Sequence, residues 1–167
     1  MIEKINGYGS HLPVFEEIFK IKEIKSLVEF GCGDFSTDYF IKNCPDVTSI
    51  EMQSQEWFDK IHNKFKDSSS WKGILCLGPF EFQNLSFKKI DLAFVDGHGD
   101  SRPEQINKIH PYTNIIVAHD TETYSYRWER IMFFREFHKF EYTELRPYTT
   151  VWSTDKTFIE ELRSKLG

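Results

Sequence analysis

The residues of this chain best suited to chemistry are Gly31-Cys32-Gly33, Glu51, Asp96, His98, His119 and Asp120. Each directly follows a short apolar run, the place where ligands sit beyond the carboxyl ends of strands in open α/β sheets. Two glycines between a strand and a helix let the backbone turn tightly and approach a bound nucleotide. Glu51 lies 20 residues after Gly31, at the end of the next apolar run. A carboxylate there can accept both hydroxyl hydrogen bonds of a ribose. Asp96 and Asp120 would stand side by side at neighbouring strand ends. Adjacent carboxylates repel unless a proton or cation lies between them, and a hard divalent cation such as Mg2+ would answer that need. An imidazole can take a proton near neutral pH, which makes His98 or His119 a candidate general base.

The elements that must position these residues follow from periodicity. Apolar runs at Leu27–Phe30, Val47–Ile50, Gly73–Leu77, Ile90–Val95 and Asn114–Ala118 alternate with segments of helical spacing, the signature of βα units and a mostly parallel sheet. Phe15, Ile18 and Phe19 mark a helix from about Leu12, and a short one over 35–43 ends at Pro45. Trp57, Ile61 and Phe65, four apart, give a third its buried face. Residues 78–87 read as irregular, and Ile106 and Ile109 mark a helix opened by Pro103. Tyr124, Trp128, Ile131 and Met132 predict a longer helix with Tyr124 and Trp128 in the core. His138 falls at a helix end. Segments 140–145 and 149–152 predict a closing antiparallel pair, and Phe158, Leu162 and Leu166 a last helix. The expectation is a single α/β domain over 1–167. It is Rossmann-like, with a seven-stranded, mostly parallel sheet, helices on both faces and a C-terminal antiparallel strand pair.

Composition narrows the function classes. With 40% hydrophobic and 16% aromatic residues the chain is globular rather than disordered. Its net charge of −5 argues against strong nucleic-acid binding. Cys32, Cys44 and Cys76, an odd number at wide spacing, suit a reducing compartment and not a disulfide framework. No apolar run approaches the length of a membrane span or a signal peptide, so a cytoplasmic location away from membranes is expected.

Glu29-x-Gly31-x-Gly33, then Glu51, then Asp96 after a fourth strand, resembles the class I S-adenosylmethionine-dependent methyltransferases over nearly the whole chain. Phe94-Val-Asp-Gly-His98 and Val117-Ala-His-Asp-Thr121 look most like small, often metal-using O-methyltransferases acting on sugars and natural products. The resemblance implies S-adenosylmethionine as cofactor. Gly31, Cys32 and Gly33 would line its methionine part, with Glu29 near the ammonium group. Glu51 would hold the ribose, and Met52 and Phe80 would lie at the adenine. Asp96, His98 and His119 would be catalytic. Asp96 and Asp120 would hold Mg2+, which would acidify a chelated acceptor hydroxyl and align it with the sulfonium methyl. An N-terminal segment around His11 would cover the cofactor. Expected partners are a small-molecule acceptor and a second copy of the chain, with no membrane. Surface solvation is the expected role of Arg102 and Arg127.

Two other readings stay open. One is a methyltransferase fold that binds the cofactor without catalysis, as a sensor or assembly module. The other is a nicotinamide-dependent oxidoreductase, against which Ser36 stands where a dinucleotide fingerprint has its third glycine.

Overall fold

The computed structural model describes residues 9–167. In chain order the elements are α1 (Leu12–Ile21), β1 (Leu27–Phe30), α2 (Ser36–Asn43), β2 (Val47–Glu51), α3 (Gln55–Phe65), β3 (Trp71–Leu75) and α4 (Pro79–Asn84). They continue as β4 (Leu92–Val95), α5 (Arg102–Ile109), β5 (Ile115–His119), β6 (His138–Tyr142), β7 (Thr149–Ser153) and α6 (Lys156–Leu166). The strands form one sheet in the order β3-β2-β1-β4-β5-β7-β6. The first five pair in parallel, and β7 runs antiparallel to both β5 and β6.

Every residue of β1, β4 and β5 is buried, as expected of central parallel strands covered on both faces. One apolar layer sets α1, α2, α3 and α6 against the sheet through Phe15, Ile18, Phe40, Ile61 and Phe158. The opposite layer gathers Phe30, Ile50, Val95, Ile106 and Ile109, with α5 as its main helix. Edge strand β6 instead buries Phe140 and Tyr142 and exposes Lys139 and Glu141, the alternation of a strand with one wet face. Hydrogen bonds from Trp57 N to Ser54 Oγ and from Phe158 N to Asp155 Oδ1 cap α3 and α6.

Four local expectations are corrected. β3 begins at Trp71, two residues early, because the Trp71 indole packs on Phe65 and donates to Ser49 Oγ at 2.8 Å. Residues 79–84 are helical, opened by Pro79 in the first turn. The helix predicted across Tyr124–Met132 is absent. Two 3-10 turns, Tyr124–Tyr126 and Trp128–Arg130, are separated by Arg127 in the left-handed conformation (φ 58°). The reversal at Arg127 breaks the helical spacing, so Tyr124 stands 90% exposed while Trp128 is partly buried against the sheet. His138 opens β6 rather than ending a helix.

At the heart of the first layer, the Phe94 ring meets Phe15, Phe40 and His11 at 4.9, 5.7 and 5.0 Å between centroids. Such ring pairs add to simple area burial. Phe94→Ala leaves a cavity beneath the strand ends and should cost about 3–5 kcal/mol. Urea unfolding will measure it, and a loss under about 1 kcal/mol would mean that the layer repacks.

Candidate functional site

The carboxyl ends of β1, β2, β4 and β5 converge on one side of the sheet. β1 ends in a turn that only glycine permits. Gly31 has φ +88°, and a Cβ there would lie 2.5 Å from the Asp96 carbonyl oxygen. The turn is held from below by Glu29, which is fully buried. Its carboxylate accepts hydrogen bonds from Ser36 Oγ (2.7 Å), Thr37 Oγ1 (2.6 Å) and Ser49 Oγ (2.5 Å). Thr37 Oγ1 in turn accepts from Gly33 N at 2.9 Å. Glu29 thus supports the turn from beneath, its oxygens engaged by hydroxyls and closed to solvent. Burial pushes its carboxyl up to about 7, against the opposite pull of the three hydroxyls.

Glu51 closes β2. Its Oε1 accepts from Gln53 N at 2.8 Å and Ser54 N at 3.2 Å, and Cys32 Sγ approaches Oε2 at 3.5 Å. Trp57 Nε1 donates to Cys32 O at 2.7 Å and fastens α3 to the glycine turn. Burial pushes the Cys32 thiol well above its ordinary range, and Glu51 pushes it further.

Met52, the residue after Glu51, lines a cleft of about 350 Å3 together with Cys76, Leu77, Phe82, His98 and Glu104 among others, while Glu51 itself and the glycine turn are not part of its lining. Its size is at the lower end of small-molecule sites. Phe80, the adenine candidate from the sequence, does not line the cleft, whereas Phe82 does. Phe80 and Phe82 are two apart on α4, hence on opposite helix faces, and Phe80 points outward at 75% exposure. Gln105 is fully buried, with Nε2 3.4 Å from Met52 Sδ and Oε1 unpartnered.

The pair at the ends of β4 and β5 has its cation already. Arg102, with a side chain 6% exposed, places Nη2 2.9 Å from Asp96 Oδ1 and 2.9 Å from Asp120 Oδ2. Its Nη1 donates to His119 O (2.5 Å) and its Nε to Gly97 O (2.9 Å). The Tyr126 ring covers the guanidinium at 4.7 Å. Sequence reasoning assigned Arg102 to the surface. The signal that could have found it is the same carboxylate repulsion, which a basic residue at a helix start next to both strand ends can relieve. An Mg2+ ion shared by Asp96 and Asp120 does not fit the space that this guanidinium fills, and the metal assignment to that pair is corrected accordingly.

His98 and His119 are not brought together. His98 is exposed at the rim of the cleft. His119 is buried, with Nε2 2.7 Å from Ser10 Oγ and Nδ1 3.3 Å from Asp96 Oδ1. That removes it from a substrate's reach, contrary to the catalytic role expected of it, and sets it against Asp96. Burial alone would raise the Asp96 carboxyl, but His119 and Arg102 outweigh it and hold it below the usual carboxylate range. His11 lies behind the site rather than over it, 1% exposed and edge-on to His119 at 4.8 Å. Burial, then the neighbouring His119, pushes its imidazole down to about 3. Residues 1–8 of the segment expected to cover the site lie outside the described residues.

Two predictions follow from these buried charges. Arg102→Met leaves Asp96 and Asp120 facing each other and should cost about 3–5 kcal/mol. Millimolar Mg2+ should restore part of that loss in thermal melts and leave the wild type unmoved. A wild-type melt raised by Mg2+ would show that the ion competes for the pair after all. At Glu29 the raised carboxyl favours the protonated form in the fold. That contribution is complete below the ordinary carboxylate range and is lost as pH rises through about 7. Glu29→Gln should therefore gain on the wild type by up to about 3 kcal/mol between pH 5 and pH 8, read from urea unfolding at both. A constant difference would disprove it.

No protein-family profile and no curated protein sequence matches the chain. Solved structures do. A candidate caffeoyl-CoA O-methyltransferase from Staphylococcus aureus superposes with TM-score 0.68 at 10% identity, covering 93% of this chain and 85% of that one. An O-methyltransferase from Bacillus cereus, in complex with S-adenosylhomocysteine (SAH), gives 0.66 at 13% identity over 91% and 83%. A candidate methyltransferase from Streptococcus mutans, also with SAH, gives 0.64 at 12% over 92% and 99%. At these identities the likeness is one of architecture, and it coincides with the strand order and the antiparallel β7 found above. The chain has the Rossmann-like fold of the S-adenosylmethionine-dependent methyltransferases.

Proposed function

We propose that the chain is a single-domain, cytoplasmic enzyme that binds S-adenosylmethionine and transfers its methyl group to an oxygen of a small molecule. The observation that carries this reading is the Glu51 carboxylate, locked by two backbone N–H groups, in contact with Cys32 of the glycine turn and one residue before Met52, which lines the cleft. A carboxylate so held is preorganised to accept ribose hydroxyls. Backbone at Gly31-Cys32-Gly33 would face the methionine portion, and Met52 and Phe82 would sandwich adenine. The bound cofactor supplies an activated sulfonium methyl.

The chain's own residues then orient the acceptor and take its proton. His98, at the rim and free of Asp96, is the group placed to accept the acceptor's O–H proton as the O–C bond forms and the S–C bond breaks. Asp96, held by Arg102 and His119, presents one edge to the site and would fix the acceptor or the cofactor's amino group. The acidic charge is neutralised by a guanidinium, so this reading needs no Mg2+. A second copy of the chain could complete the open rim.

One observation favours the non-catalytic reading. Among the described strand-end histidines, His98 alone is exposed, and it has no orienting partner among the described hydrogen bonds. Calorimetric titration with SAH is expected to show micromolar binding, and Glu51→Gln to weaken it about 10- to 100-fold. Wild-type protein that fails to bind SAH would overturn the proposal. Binding with no methyl transfer across an acceptor screen, and no change in His98→Ala, would transfer the assignment to the cofactor-sensing module.

A further inference from the structure

We propose that His11, Asp96 and His119 form a binding site for one borderline divalent metal ion of the Zn2+ or Co2+ class, on the side of Asp96 that faces His119 and sharing Asp96 Oδ1 with Arg102; the inference does not rest on the methyl-transfer reading. One ligand atom from each residue lies within 4.8 Å of the other two. Two imidazoles and a carboxylate suit Zn2+ and its neighbours and do not suit Mg2+.

The hydrogen-bond pattern gives the first reason. Ser10 Oγ donates to Pro147 O at 2.8 Å. Its single proton is then spent, so at 2.7 Å it accepts from His119 Nε2. A metal-ligating histidine commonly donates its far N–H to such a partner, which fixes the ring's direction. His119 Nδ1 is left facing Asp96 Oδ1 across 3.3 Å. An imidazole lone pair and a carboxylate oxygen cannot face each other without a proton or a metal between them. The same 3.3 Å is the edge of a tetrahedron with bonds of about 2.0 Å, the length of Zn–N and Zn–O bonds.

The second reason is independent. His11 is buried beside this gap, and both of its ring nitrogens lack any partner among the described residues. A buried polar atom normally finds one, and a metal at the gap would supply a partner to one of the two nitrogens. The ring has to close by at most about 1.5 Å to complete the triangle. Asp96, with 25% of its side chain exposed, is the member that solvent reaches, so a fourth ligand would enter from that side. The ion would tie the start of α1 to the ends of β4 and β5.

Chelator-treated full-length protein titrated with Co2+ should develop the visible bands of a low-coordinate site at one equivalent, and excess Zn2+ should abolish them. Zn2+ at a hundredfold excess over Kd should raise the melting temperature by roughly 5 °C or more. His11→Phe keeps a ring against Phe15 and Phe94 and should melt no lower without metal. It should bind Zn2+ more weakly by more than the 10- to 100-fold typical of losing an outer partner, while His62→Ala on the exposed face of α3 should bind normally. Absence of a one-equivalent site, or unchanged affinity in His11→Phe, would overturn the proposal. If His11→Phe fails to fold, X-ray absorption on the wild-type Zn2+ adduct decides: two imidazoles support the site and fewer refute it.

Discussion

The strand-end site depends on one buried guanidinium. Without Arg102, two carboxylates at adjacent parallel strands would be held together in a largely desolvated space, where like-charge repulsion is poorly screened. Arg102 does more than neutralise them. Its planar fork reaches the Gly97 and His119 carbonyls as well, so the directions in which β4 and β5 leave the sheet are coupled to the start of α5. A lysine has the charge but not the geometry. Asp120 adopts φ 55° while it engages Arg102. That is a conformation sparsely populated outside glycine, asparagine and aspartate, and here the contact with Arg102 accompanies it.

The neighbouring strands solve the same problem without a cation. Glu29 and Glu51 are both buried, yet one is surrounded by hydroxyls and the other by backbone N–H groups. The difference sets their roles. A carboxylate enclosed by three side-chain hydroxyls is a support that locks β1, α2 and β2 together. One held by main-chain donors on one oxygen keeps lone pairs of the other available to a ligand. Of the acids near the site, Glu51 and Asp96 therefore retain capacity to bind, and Glu29 retains none. The resemblance put Glu29 near the cofactor's ammonium group; its burial beneath the turn corrects that placement, and its route to the turn runs through Thr37 and Gly33.

The sheet was legible because its signal is local. Runs such as Ile115–Ala118 are apolar throughout, and that continuity is itself the mark of a strand covered on both faces. The turn at Gly31 and its spacing to Glu51 were legible for the same reason. What escaped depends on contacts between residues distant in sequence. The segment from Tyr124 to Met132 carries helical spacing, but Tyr126 lies on Arg102 and against Gly99, where even a Cβ would collide with its ring. That packing requires the reversal at Arg127, and tertiary contact overrides periodicity. Phe82 escaped notice because residues 78–87 read as irregular, and only the helix α4 separates the face that meets the cleft from the one that carries Phe80. Arg102 was misread because no one-dimensional feature separates a solvated arginine at a helix start from one turned inward.

His11 belongs to both halves of the structure. Its ring completes the aromatic layer of Phe15 and Phe94, and any ring of similar size would serve that packing. Its nitrogens serve nothing in the layer, and leaving a polar group unsatisfied there costs on the order of 1–3 kcal/mol. Burial also pushes the ring towards its neutral form. Packing therefore accounts for the ring at position 11 and leaves its two nitrogens unexplained. Among the described residues, the space between His119 Nδ1 and Asp96 Oδ1 is a polar gap within the ring's reach. A proton could close that gap from either of its two sides, but a proton would leave the His11 nitrogens as they are. A metal ion would take one ligand atom from each of the three residues, one His11 nitrogen among them, which is why the burial of His11 points to the gap beside it rather than to the cleft above.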